Sequence, residues 1–170
     1  MFVNISGVAI ALAQEHGASK DQDVRAGFLQ KLDERMDASG PGDGLVRLLN
    51  SFRKNHLRMG LVTFMRQPRL ARRLEQWKLA SYFQSVVTPE QLGEFKPSPK
   101  PFVKAVKELK VDPADCHVVG DEPVDMAGGK AAGMRTVGLP QGFFSEEELR
   151  EAGADVIIQS LSRLPDVLKL

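Results

Sequence analysis

Four short stretches of this 170-residue chain bring together side chains that could act jointly on a charged ligand. Thr63 stands near the end of an apolar run at 57–64, and Thr88 follows another at 83–87. Lys96 comes a few residues later, within Glu94-Phe95-Lys96-Pro97-Ser98-Pro99. Asp121 and Glu122 close a third apolar run at 116–120, and Asp125 follows them. These are hydroxyls, an ammonium and carboxylates, and all but Lys96 and Asp125 sit at or just past the end of an apolar run. Other reactive residue types give less. His16, His56 and His117 have no metal-ligand spacing among them, and His117 lies inside an apolar run, where a structural role fits. Cys116 begins the same run and reads as core rather than nucleophile.

The positions of these residues depend on the elements between them. Gly40-Pro41-Gly42-Asp43-Gly44 is a turn, with Asp43 placed to cap the helix carrying Leu45, Leu48, Leu49 and Phe52. Residues 57–64 read as a buried strand. Pro68 starts a helix with Leu70, Leu74 and Trp77 inward, and 83–87 is a short strand. The stretch 99–109 predicts a helix whose apolar face is Phe102, Val103, Val106 and Leu109. Then follow a strand at 116–120, a helix at 124–132 and a strand at 134–139. A helix at 145–152 comes next, with Ser145 and Glu148 in capping-box positions. A strand at 155–158 and a closing helix at 160–170 complete the pattern. Strands alternating with helices imply right-handed crossovers and a parallel sheet covered on both faces. The expected fold is a three-layer α/β/α sandwich with a Rossmann-like parallel sheet. In such sheets a ligand sits beyond the carboxyl ends of the strands, where Thr63, Thr88 and Asp121 with Glu122 fall.

The first 39 residues read differently. Residues 24–36 fit an amphipathic helix with Phe28, Leu29 and Leu32 inward. Residues 1–13 fit either a short strand followed by a helix or a helix throughout. The division expected is a single domain over 1–170, with 40–170 as core and 1–39 as a first strand, a short or vestigial helical cap, or both.

Composition narrows the function classes. The apolar fraction of 42% and charged fraction of 26% are those of a globular chain rather than a disordered one. The 23 basic and 22 acidic residues nearly cancel, so no overall field would hold the chain to nucleic acid or to an anionic membrane. The single cysteine excludes an internal disulfide and fits a reducing, cytoplasmic setting. No apolar run approaches the roughly 18 residues of a membrane-spanning helix, and 1–13 lacks the basic start of a signal peptide.

From about Gly40 to Leu170 the sequence resembles the haloacid dehalogenase-like hydrolases, on three of that family's four motifs. Thr63 at a strand end resembles the second motif, whose hydroxyl binds the transferred phosphoryl group. Glu94-Phe95-Lys96-Pro97-Ser98-Pro99 resembles the third, whose lysine neutralises phosphoryl charge. Gly120-Asp121-Glu122-Pro123-Val124-Asp125 resembles the fourth, an acidic Mg²⁺ site, and Ala127-Gly128-Gly129-Lys130-Ala131-Ala132-Gly133-Met134 after it is also typical. Each motif alone has an ordinary reading as turn, solvated loop or helix cap; their order and placement give the resemblance its weight. It implies a Mg²⁺-dependent phosphatase acting on a small phosphorylated metabolite. Thr63 and Lys96 would grip the phosphoryl group, and Asp121 would carry the metal with Asp125 or Glu122 in support. Phosphoryl transfer is mostly positioning and charge neutralisation, which those residue types can supply. The dehalogenase branch shares the fold without needing Mg²⁺, and the acidic cluster favours the phosphatase side.

The family's first motif, Asp-x-Asp-x-Thr or -Val, is the departure. Its nearest match is Asn4-Ile5-Ser6-Gly7-Val8, with Asn4 in place of the nucleophile and Ser6 in place of the general acid-base. An amide does not form an acyl phosphate as a carboxylate does, and an unactivated serine is a poor proton carrier at neutral pH. Asp21-Gln22-Asp23-Val24 shares the spacing but follows a polar stretch, so Asp21 reads as a helix cap. Three explanations stand. The nucleophile lies upstream of Met1 and 8–39 is the tail of a cap; or 1–8 is a decayed first strand of an inactive relative that binds a ligand or partner; or a second copy of the chain, in a homodimer, supplies a strand or a carboxylate.

Overall fold

The computed structural model describes residues 2–3, 41, 43–141 and 143–170, with 2, 3 and 43 by backbone alone. Six strands form one sheet: β1 (Phe2–Val3), β2 (Gly60–Val62), β3 (Ser85–Val87), β4 (His117–Gly120), β5 (Arg135–Gly138) and β6 (Val156–Ile157). Their order is β3-β2-β1-β4-β5-β6 and every pair is parallel. The helices are α1 (Asp43–Lys54), α2 (Gln67–Gln76), α3 (Lys100–Leu109), α4 (Pro123–Ala131), α5 (Glu146–Glu151) and α6 (Leu164–Leu168).

Side chains alternate across a strand, so neighbours feed opposite layers. Leu61 and Val119 join one apolar cluster with Leu49 and Phe52 of α1, Leu70 and Leu74 of α2, and Leu164 of α6. Val62 and Val118, one residue away in each case, join the other cluster with Phe102, Val106 and Leu109 of α3. Two cores on two faces make the α/β/α sandwich. α4 presses close to α3: a Cβ on Gly128 would stand 2.5 Å from the Phe102 ring, so only glycine fits there.

The strand order fixes where a ligand can sit. From β1 the chain winds outward through β2 to β3, then returns to the other side of β1 for β4, β5 and β6. The crevice at such a reversal, past the carboxyl ends of β1 and β4, is where doubly wound folds hold ligands. Phe2 pairs with Gly60 on one side and Val118 on the other. The slot between β2 and β4 is thus filled by the chain's own residues. Of the two readings of 1–13, the short strand is realised at Phe2–Val3. Asn4, Ser6, Asp21, the remaining part of that stretch and the helix expected at 24–36 lie outside the described residues.

The sequence pattern overreached at several edges. Leu57 and Arg58 precede β2 instead of joining it; the Arg58 guanidinium donates to the Leu109 and Lys110 carbonyls, 2.6 and 3.1 Å away, and so satisfies the last turn of α3. Val103 is exposed, and α3 buries Ala105 and Pro101 beside Phe102, Val106 and Leu109 instead. Phe64, read as the end of a buried strand, is 43% exposed. The closing helix at 160–170 splits into a 3₁₀ turn, Leu161–Arg163, and the short α6, where Pro165 has no N–H to continue a single ladder. The capping box forms as expected: Ser145 Oγ accepts from the Glu148 amide at 3.2 Å while Glu148 accepts from the Ser145 amide at 2.8 Å.

Candidate functional site

Three polar residues leave the sheet at the same edge. Thr63 follows β2, Thr88 follows β3 and Asp121 follows β4. Thr63 and Thr88 line one small pocket with Phe64, Phe95 and Lys96. Thr63 Oγ1 accepts a hydrogen bond from the Met65 amide at 3.1 Å, which leaves its own hydrogen available to a ligand oxygen. The Thr88 hydroxyl is buried in the pocket wall.

Lys96 reaches this edge because its loop is closed by its own side chains. Glu94 accepts from the Ser98 hydroxyl at 2.9 Å and from the Lys100 ammonium, and the Ser98 amide donates to the Phe95 carbonyl at 2.9 Å. The loop thus folds back on itself around Lys96, whose ammonium turns inward. Lys100 first, then Ser98, holds the Glu94 carboxyl below its ordinary range. Inside, Lys96 Nζ lies 2.5 Å from Asp125 Oδ1, with both side chains 2% exposed. The Lys96 ammonium also sits 4.6 Å from the centre of the Phe64 ring.

Asp125 arrives from the first turn of α4 and lies directly over Gly120. A Cβ on Gly120 would be 2.5 Å from the Asp125 carboxylate, so glycine at the end of β4 is what lets that carboxylate pass to Lys96. Removing one partner of such a buried pair costs about 3–5 kcal/mol, because the other charge is left uncompensated.

Asp121 is buried at the same strand end. It is 1% exposed. Burial, then the negative charges of Asp125 and Glu122, push its carboxyl from 3.8 up to about 7, against the pull of Lys96. With Asp125 committed to Lys96, Asp121 is the carboxylate that a cation would most stabilise. Glu122 stands half-buried at the start of α4, where its side chain makes no cap hydrogen bond. Mg²⁺ typically takes one or two carboxylates and completes its octahedron with water and phosphate oxygens. Asp121 fits such a share. Among the described residues no group of three or more metal-ligating side chains forms.

Sequence reading found Thr63, Lys96 and Asp121 at this edge. It did not foresee that Asp125 is held by Lys96, a pairing between residues far apart in sequence. It also missed Phe64 and Phe95, whose signal was adjacency: one directly follows Thr63 and the other directly precedes Lys96.

A doubly wound parallel sheet with a hydroxyl, a buried lysine–aspartate pair and a buried carboxylate past its strand ends marks an α/β protein built to take a charged ligand at that edge. The chain belongs to the haloacid dehalogenase-like hydrolases, whose family model matches residues 3–139, and within them to the phosphatase branch. It is 32% identical over 172 aligned positions to N-acetylmuramic acid 6-phosphate phosphatase of Pseudomonas aeruginosa, covering 96% of this chain and 76% of that protein. It is 33% identical over 122 positions to phosphoglycolate phosphatase of Escherichia coli, covering 72% of this chain and 48% of that protein. The chain therefore spans between about half and three quarters of the length of these relatives. A solved hydrolase from Pseudomonas syringae shares the fold with a TM-score of 0.72 at 20% identity, over 99% of this chain and 98% of that one. No helix among the described residues is long and apolar enough to cross a membrane.

Proposed function

We propose that the chain is a phosphatase-type protein that holds the phosphoryl group of a small organic phosphate in a Mg²⁺-dependent manner, with hydrolysis impaired at its first motif. The observation that carries this reading is the buried Lys96–Asp125 pair, 2.5 Å apart, at the strand edge that also holds Thr63 and Asp121. Lys96, fixed by Asp125, neutralises phosphoryl charge without having to reorganise. Thr63 donates its hydroxyl hydrogen to a phosphoryl oxygen. Asp121 would hold the metal, with Glu122 in support; when bound, Mg²⁺ supplies further neutralisation of the phosphoryl oxygens. The names of the two phosphatase relatives, each for a small organic phosphate, support the substrate class.

Asn4 and Ser6 follow β1 in sequence, where the family places its nucleophile and its acid-base. In this reading 1–170 is one domain, with 1–39 its first strand and a remnant cap. Binding then outlasts turnover. The test is hydrolysis of an aryl phosphate with and without Mg²⁺. The native chain is expected near background, and N4D with S6D together to raise the rate at least about a hundredfold, in line with restored general acid-base and nucleophilic catalysis. Adding D121A should abolish that gain. Fast Mg²⁺-dependent turnover by the native chain would show that its nucleophile is not at Asn4. Asn4 and Ser6 also favour a second reading, a non-catalytic binding protein on this fold. Phosphate binding by calorimetry, with no activity in the double variant, would select it.

A further inference from the structure

Five large apolar side chains among the described residues are well exposed: Phe64, Phe95, Val103, Val156 and Leu170. The two aromatic ones are not scattered. Phe64 and Phe95 stack with ring centres 6.1 Å apart and planes 29° apart, and both line the pocket of Thr63 and Lys96. Phe64 is 43% exposed and Phe95 49%. Each ring therefore leaves close to half of its surface in water, apolar area that a ligand could cover. The cation at Phe64 ties the platform to the site itself, since that ring is part of what surrounds the Lys96 ammonium. Phe64 and Phe95 line the open mouth of the pocket that holds Thr63 and Lys96, so the ester substituent of a phosphoryl group gripped there would leave past these rings.

We infer that Phe64 and Phe95 form a stacking platform for the organic part of the ligand, and that the site selects phosphomonoesters with a flat, apolar group on the ester oxygen over small polar ones. This rests on the phosphoryl-binding reading above and adds to it a substrate class. An aromatic pair is worth about 0.5–1.5 kcal/mol beyond the area it buries. Together with that area, a preference of about tenfold or more is expected.

Two non-hydrolysable phosphonates separate the terms, so the test does not need turnover. Methylphosphonate and 1-naphthylmethylphosphonate are titrated calorimetrically into the full chain with MgCl₂ present. The platform predicts that the naphthyl compound binds at least about tenfold tighter. In F95A the ratio of the two affinities should fall to within about twofold, and F95L should keep part of it through apolar area without stacking. Circular dichroism of the variants checks that both are folded. Equal affinities in the native chain, or a ratio unchanged in F95A, would overturn the platform while leaving phosphoryl binding intact. If neither compound binds, the phosphoryl-binding reading fails and the platform with it.

Discussion

The sheet carries a polar cluster at each end, and the two are built on opposite principles. At the amino end of β5, Thr136 is fully buried and everything around it is matched. Its hydroxyl lies 2.6 Å from the Gly153 carbonyl and accepts from the Asp155 amide at 3.1 Å, and its own amide donates to Asp155 Oδ2 at 2.8 Å. Lys130 closes the cluster on Asp155 at 2.5 Å, in a half-exposed pair. Burial pushes the Asp155 carboxyl up, but Lys130 and Thr136 together outweigh it and hold it below its ordinary range. At the carboxyl end of β4, one lysine serves two buried aspartates. It lies against Asp125, and burial with like charge pushes Asp121 up to about 7. The matched cluster joins α4, β5 and the approach to β6. The other sets two buried acids side by side at the strand edge past β4. Only the second buries its acids.

The sharpest way to break this contrast is to remove the lysine at each end. Lys96→Met leaves Asp125 and Asp121 buried without their cation, and should lower unfolding free energy by about 3–5 kcal/mol in urea denaturation while abolishing phosphate binding. The next effect is titration. Asp121 takes a proton more readily folded than unfolded, so its contribution to stability is full below about pH 4 and is lost as pH rises through about 7. In metal-free buffer the unfolding free energy from urea denaturation should fall across that window, by at most about 1.4 kcal/mol for each step of one in pH. His117, which burial and Arg135 hold below its ordinary range, pulls the other way, so the slope is read against Asp121→Asn, in which Asp121's part disappears. Mg²⁺ should raise the urea midpoint more above pH 7 than below it, since protonated Asp121 is a poor ligand.

At the matched end, Thr136→Val keeps the volume but strips the hydroxyl from the Asp155 amide. A loss of about 1–3 kcal/mol is expected, with phosphate affinity unchanged by calorimetry. Lys130→Met is the smallest of these effects, no more than about 1 kcal/mol, because its pair with Asp155 is half-exposed and water screens it. A large loss there would mean that the two ends differ less than their geometry implies.

The layers of the fold were legible because alternation and helical spacing are local. Leu49 and Phe52 of α1, and Leu70 and Leu74 of α2, are buried as their spacing required. The strand ends that carry Thr63 and Asp121 followed from the same pattern. What stayed illegible was decided by tertiary contact. Nothing local to Lys96 points to Asp125, and the passage between them exists because Gly120 has no Cβ. Leu57 has the apolar character of a strand residue, but Arg58 beside it is drawn away by the carbonyls at the end of α3. Phe64 was placed inside on hydrophobicity alone, which says that a side chain gains from burial and not that the fold provides it.

The position of β1 has a consequence for how the chain reaches this state. β2 pairs with β3, and β4 with β5 and β5 with β6, so each half of the sheet joins strands that are neighbours in sequence. Within the sheet the two halves are joined through β1, whose partners lie at Gly60 and Val118. Closing loops of that length is entropically costly and slows the search. The edge that carries Thr63, Lys96 and Asp121 spans both halves of the sheet, so it is complete only when β1 is paired on both sides.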